Sequence, residues 1–129
     1  MMNNTAYKLE ETKIISGTNI AKCMRCGRCS AACPSYDDMD VRPHQFVSYL
    51  SRGDIDGLLE SSSLWACLSC FNCVQRCPRG VAPASLIEAV RQSAIRPKGQ
   101  SHITVEEVAK SFEPDMPQQL LVAAFRKYQ

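Results

Sequence analysis

Cysteine placement constrains this chain more than any other feature. Eight cysteines occur in 129 residues, and they fall into two copies of one pattern. Cys23, Cys26, Cys29 and Cys33 read C-x2-C-x2-C-x3-C with Pro34 after them, and Cys67, Cys70, Cys73 and Cys77 repeat that spacing with Pro78 after them. Each half then continues the same way, with a proline opening a helix: Pro43 ahead of His44 to Leu50, and Pro83 ahead of Ala84 to Ile95. Proline suits that position because the first helical turn has no intrahelical use for its missing N–H. An internal repeat is therefore the organising feature of the sequence.

The spacing carries its own chemistry. A cubane iron–sulfur cluster has irons at tetrahedral corners, each needing one thiolate. Three cysteines at C-x2-C-x2-C can wrap one face of such a body. The fourth, three residues on and followed by proline, begins to leave the loop, and in the two-cluster bacterial pattern it reaches the other cluster. Applied here, that pattern gives one [4Fe–4S] cluster to Cys23, Cys26, Cys29 and Cys77, and a second to Cys67, Cys70, Cys73 and Cys33. The swap would tie both halves into one unit and hold the clusters near each other. Rival readings are weaker. Structural zinc favours separated ligand pairs over three cysteines in one loop. Disulfides need an oxidising compartment, and a thioredoxin-type pair would accompany a βαβ pattern that is absent.

Apolar spacing predicts an all-α fold. Phe46, Tyr49 and Leu50 share a face after the first motif, Gly53 is a stop, and Asp54 caps a short segment bearing Ile55, Leu58 and Leu59. After the second motif, Ile87, Val90 and Ala94 keep the same period. Pro97 to Gly99 starts a linker. Thr104 and Glu107 form a capping box ahead of Val105, Val108, Ala109 and Phe112. Pro114 and Pro117 frame a turn before a last helix with Leu121, Ala124, Phe125 and Tyr128 on one side, joined by Leu120, Val122 and Ala123. These patterns divide the chain into an N-terminal arm over residues 1–15, a two-cluster domain over 16–97 and a helical extension over 98–129. Composition leaves the arm undecided between a loose lead and a docking segment. The apolar surface of the last helix suits core packing and partner docking equally.

Composition excludes some classes. Hydrophobic content of 45% and charged content of 22% are those of a globular domain. Residues 1–16 are polar and hold no signal-peptide core, and no apolar run approaches a membrane span. The expected compartment is the cytoplasm, where clustered cysteines point to metal. The formal charge of +2 drops when clusters are bound, since each thiolate-ligated core adds roughly two negative charges. Lys22, Arg25, Arg28, Arg76 and Arg79, inside or beside the motifs, read as local compensation and not as a nucleic-acid patch. His44 and His102 read as packed or solvated side chains, and Trp65, just ahead of Cys67, as a cover over a cluster.

The runs from Cys23 to Ser35 and from Leu64 to Val81, with a helical spacer between them, resemble the C-type iron–sulfur subunit of heterodisulfide reductase. The resemblance covers roughly residues 20–95, and the ending from Pro117 to Tyr128 is similar too. The spacer also resembles the helical ferredoxin domain at the C-terminus of fumarate reductase and succinate dehydrogenase iron–sulfur subunits. What the resemblance implies is a protein passing electrons between two others of its complex. One is the A-type subunit, which bears flavin and iron–sulfur clusters; the other is the B-type subunit, which has Cys-Cys-Gly domains. In some organisms that module serves flavin-based electron bifurcation with a further dehydrogenase or a hydrogenase. The alternatives are an iron–sulfur subunit of another dehydrogenase and a freely diffusing ferredoxin. No G-x-G-x-x-G, no Cys-Cys-Gly repeat and no nucleophile with a base occurs in the sequence, so no catalytic residue is expected. Because thiolate ligation couples metal binding to folding, stripping the iron is expected to abolish most of the helical far-ultraviolet circular dichroism. A fully helical metal-free chain would contradict that expectation.

Overall fold

The computed structural model describes residues 4–96, 104–111 and 113–125, and every described element is helical. Two compact units divide it, Met1–Pro97 and Lys98–Gln129. In the first unit the chain runs through α1 (Asn4–Ser16), α2 (Arg28–Ala31), α3 (Pro43–Arg52), α4 (Ile55–Leu59), α5 (Ser63–Ala66), α6 (Asn72–Gln75) and α7 (Pro83–Ile95). The second unit holds α8 (Val105–Lys110) and α9 (Gln118–Phe125).

Helix α3 shows how local sequence writes this fold. Pro43 opens it, and the Gln45 side chain reaches back to accept from the Arg42 N–H at 2.9 Å. Gly53, at φ 78°, ends it: its N–H reaches Leu50 O at 3.1 Å and that of Asp54 reaches Tyr49 O at 3.0 Å. That pair of bonds needs the left-handed backbone a glycine adopts without strain. Asp54 then caps α4, its carboxylate accepting from the Gly57 N–H at 3.1 Å. Between these signals Phe46, Val47 and Leu50 are fully buried, each worth roughly 1.5–3 kcal/mol of apolar transfer. They meet Ile55, Leu58, Leu64, Val81, Leu86, Ile87 and Val90 in one core. On α7 the buried face is Leu86, Ile87, Ala89, Val90 and Ser93; Ala94, expected on it, is exposed because the stripe has turned past it by the last turn.

The arm left undecided by composition is a helix. α1 packs on α7 and α4 within the first unit. Its contact side is unusual: Thr12 is buried, with its hydroxyl donating to Lys8 O at 2.8 Å, and Leu9 is half-buried against the core. Ile14 is 79% exposed. The apolar residues of α1 do not form the buried stripe, so periodicity carries no signal here. Gly17, at φ 61°, closes the helix onto Lys13 O. In the second unit Thr104 and Glu107 make the expected reciprocal capping box, at 2.9 and 3.3 Å. Leu120 and Val122 of α9 are exposed within that unit. The expectations for the linker at 97–99, for His102, Phe112 and Tyr128, and for the side chains of Val105, Val108, Ala109, Leu121, Ala124 and Phe125 lie outside the described residues.

One clamp joins the two repeats at a distance. After the first motif, Asp40 extends its Oδ1 to the Val41 N–H at 3.0 Å, the Ser61 hydroxyl at 2.7 Å, the Ser62 hydroxyl at 3.1 Å and the Ser63 N–H at 2.9 Å, and also accepts from the Ser63 hydroxyl. The carboxylate caps α5, the helix leading into the second motif, from across the fold. The Ser63 and Ser61 bonds hold the Asp40 carboxyl well below its ordinary 3.8. Its stabilising contribution is thus complete above that value and is lost as pH falls through and below it. Replacing Asp40 with Ala leaves the buried Ser63 without its acceptor and is expected to cost roughly 1–2 kcal/mol. The check is chemical denaturation of the iron-loaded protein at neutral pH. An unchanged midpoint would show the clamp to be dispensable.

Candidate metal centre

Both cysteine loops are built alike. The first follows a 3-10 turn, Ile20–Lys22, which Asn19 caps through the Ala21 N–H at 3.0 Å, and Cys23 closes that turn onto Ile20 O. The second follows α5, which Cys67 closes onto Ser63 O. In the first loop the left-handed residues are Arg25, at φ 56°, and Gly27, at φ 78°. In the second they are Ser69, at φ 53°, and Phe71, at φ 61°. These are the same two positions of the repeat, flanking Cys26 and Cys70. A phenylalanine at positive φ is costly, and its recurrence at the position of a glycine marks a conformation the loop needs. Successive turns of this kind present backbone N–H groups to one concavity, the anion-binding nest found around iron–sulfur sites.

The fourth cysteine of each motif leaves its own loop. A cavity in the first unit is lined by Cys23, Cys26 and Cys29 together with Cys77, with Arg25, His44, Val47, Pro78 and Arg79 among the other walls. Cys33, conversely, lies within electrostatic reach of Cys67 and Cys70. Cys73 lies within reach of Cys67, Cys70 and Cys29, so the two groups of thiols adjoin. Helices α2 and α6, which carry Cys29 and Cys73, pack together and bring this about. The first and last cysteines of each motif rest on the core, whereas Cys26 and Cys70 are exposed.

Burial pushes the Cys73 thiol up to about 11, against a hydrogen bond from the Ala84 N–H, and burial likewise raises Cys29 and Cys33. Thiols so placed keep their protons at neutral pH until a cation displaces them. The Val81 N–H donates to Cys77 Sγ at 3.3 Å. Bonds of that type hold the ligand in place and spread the charge of a thiolate. Among the described residues no three His, Cys, Asp or Glu side chains converge on the position of one ion. A cubane asks for something else, four thiolates around a body several Å across, each on its own iron. The donor set and the nest-lined cavity fit such a group.

Several neighbours were not legible beforehand. Arg91 on α7 holds the second loop: its Nε donates to Leu64 O at 2.6 Å, its Nη1 to Ser69 Oγ at 3.0 Å and Glu88 Oε1 at 2.7 Å, and its Nη2 to Cys67 O. Glu88 accepts the Ser69 hydroxyl as well. The pairing of Arg91 with a helix-facing glutamate three residues earlier was the one available hint. His44 lines the first cavity, its Nδ1 2.6 Å from Ser30 Oγ, and that oxygen also accepts the His44 N–H at 3.1 Å. Trp65, expected over a cluster, is 57% exposed; α5 buries Ser63 and Leu64 and leaves the next residue at the surface.

Comparison with known proteins places the cysteine-bearing region among iron–sulfur domains. The 4Fe-4S dicluster domain family matches residues 19–81. The C-type subunit of the ferredoxin:CoB-CoM heterodisulfide reductase of Methanosarcina acetivorans is 36% identical over 92 residues, 71% of this chain and 35% of that protein. The C-type iron–sulfur subunit of the CoB–CoM heterodisulfide reductase of Methanopyrus kandleri is 33% identical over 87 residues, 67% of this chain and 44% of that protein. For the C-type subunit of the H2:CoB-CoM heterodisulfide,ferredoxin reductase of Methanothermobacter thermautotrophicus the identity is 30% over 87 residues, 67% and 47% respectively. The chain thus spans between a third and a half of the length of these relatives. Among the described residues no helix is long and apolar enough to cross a membrane. Residues 19–81 thus match an iron–sulfur domain of the 4Fe-4S dicluster type, and the chain is similar to the C-type iron–sulfur subunits of heterodisulfide reductases over about two thirds of its own length.

Proposed function

We propose that this chain relays single electrons through two [4Fe–4S] clusters inside a heterodisulfide reductase-like complex. One cluster is held by Cys23, Cys26, Cys29 and Cys77, the other by Cys67, Cys70, Cys73 and Cys33. The observation that carries the reading is Cys77 in the wall of the cavity formed by the first loop, although it is distant in sequence. The clusters, when bound, supply the one-electron chemistry. The protein's residues do the rest: the thiols anchor, the nests and backbone N–H groups offset anionic charge, and the core keeps the two sites adjacent.

Named relatives are subunits of reductases acting on the CoB-CoM heterodisulfide. On that basis the proposed partners are the A-type flavin-bearing, iron–sulfur protein and the B-type Cys-Cys-Gly protein of such complexes. A further dehydrogenase or hydrogenase module joins them where the complex bifurcates electrons.

Two experiments test this. Replacing Cys77 with Ser is expected to remove the same cluster that Cys26→Ser removes, with bound iron falling by roughly half in each and one paramagnetic signal surviving reduction. Loss of the opposite signal in Cys77→Ser would refute the exchange. Anaerobic affinity purification of the tagged full chain from native extract is expected to bring down a flavoprotein and a Cys-Cys-Gly protein together. Recovery with an unrelated dehydrogenase instead would retain the clusters and exclude this complex.

A further inference from the structure

The duplication provides an internal control. If the fourth cysteines are exchanged as proposed, each cluster mouth consists of one loop plus the segment around the other motif's last cysteine. Around the first site that set includes Lys22, Arg25, Arg28, Arg76 and Arg79. The corresponding positions around the second are Ala66, Ser69, Asn72, Ala32 and Ser35. Every cation at one mouth is a neutral residue at the other, and Gly27 is matched by Phe71. The two loops share their left-handed backbone positions, so holding a cluster does not require these cations.

Their state points the same way. All five side chains are exposed, and among the described residues none is in an ion pair. Arg25 and Arg79 line the cavity itself. The guanidinium nearest the second loop, Arg91, behaves differently: it is largely buried and bound to Glu88 and to Leu64 O and Cys67 O. Arg91 is structural, whereas Arg25, Arg28, Arg76 and Arg79 have no side-chain hydrogen bond or ion pair among the described residues. The second loop presents Leu68, 68% exposed, and Phe71, 45% exposed, where the first has Met24, 58% exposed, and Gly27. The two mouths therefore differ in charge, one cationic and the other neutral.

We propose that the cationic mouth over Cys23, Cys26, Cys29 and Cys77 is the docking surface for an acidic redox protein, which exchanges electrons with the cluster beneath it. This rests on the cluster reading above. Exposed arginines around a redox centre steer an anionic surface toward it and orient it on arrival. The bound cluster is itself anionic; Arg25 and Arg79 at its wall, with Lys22, Arg28 and Arg76 adjoining the same cysteines in sequence, keep the mouth attractive to acidic groups when loaded.

The test uses the iron-loaded full chain, chemically reduced and mixed in a stopped-flow instrument with plastocyanin, an acidic copper protein, or with cytochrome c, a basic haem protein. In each turnover one electron leaves a reduced cluster and converts Cu(II) to Cu(I), or ferric to ferrous haem. Plastocyanin is expected to react about tenfold faster at low ionic strength than at high. Arg25→Ser with Arg79→Ser, which installs the residues used at the other mouth, is expected to remove most of that advantage while leaving the paramagnetic signals intact. Arg52→Ser with Arg96→Ser is the control of equal charge. Arg96 follows α7, whose first residue lines the cavity, and so stands roughly 20 Å away; Arg52 lies about a turn and a half beyond Val47, the nearest cavity-lining residue of α3, and stacks on Tyr49. The control is expected to change the plastocyanin rate by less than twofold, and cytochrome c is expected to show no loss with either pair. An equal effect of both pairs, or a plastocyanin rate that rises with salt, overturns the proposal while the cluster reading stands. Absence of any reducible cluster in the unmodified chain removes both.

Discussion

Three thiols on a short loop cannot complete a four-iron site, and the rest of this structure follows from where the fourth comes from. The C-x2-C-x2-C loop curls so tightly that its middle cysteine, Cys26 or Cys70, is flanked on each side by a left-handed residue. The chain then exits through a one-turn helix, and the next cysteine is already directed away. Bringing Cys77 to the first loop requires α2 and α6 to lie side by side. Once they do, Cys33 falls beside the second loop, and Cys29 and Cys73 approach each other. A single packing contact therefore brings the two groups of thiols together, the arrangement that the proposed relay requires.

The hydrophobic core serves this contact. Helices α3 and α7, each opened by a proline, fill the same role behind the two motifs, and the outer cysteines rest on the surface they create. Where the halves differ, side chains take over. The first half has a longer connection between its last cysteine and its proline, and Asp40 in that connection caps α5 and so sets the entry to the second motif. In the second half Arg91 grips the carbonyls on either side of the same entry. Both devices converge on the few residues before and within the second loop, where Phe71 holds an unfavourable backbone angle without glycine. The charges are divided as unevenly as the clamps. Arg25 and Arg79 line the first cavity, whereas the equivalent positions of the other repeat are Ser69 and Ser35, so two loops of one backbone design differ in the charge around them.

Much of this was legible in particular residues. Pro43, Gly53 and Asp54 specify the start of α3, its end and the cap of α4, the last two through bonds spanning at most five residues. Thr104 and Glu107 do the same for α8. What was not legible acts over longer separations or without apolar period. Helix α1 docks through Thr12 and Leu9 while its isoleucines face outward, so its face could not be read from hydrophobicity. Asp40 and Arg91 bind groups more than twenty residues away, and nothing in the intervening sequence announces it.

The sequence by itself determined the chemistry: eight cysteines at repeated spacing, with prolines after them, define two thiolate loops and exclude most other uses of sulfur. That information is local, because a loop of seven residues sets the relative positions of its own three thiols. Only the tertiary structure decided which loop each fourth cysteine approaches, how near the two sites stand, and that the cations of two separate segments gather at one mouth. Those outcomes depend on helices far apart in sequence packing on a shared core, and no short-range spacing encodes them.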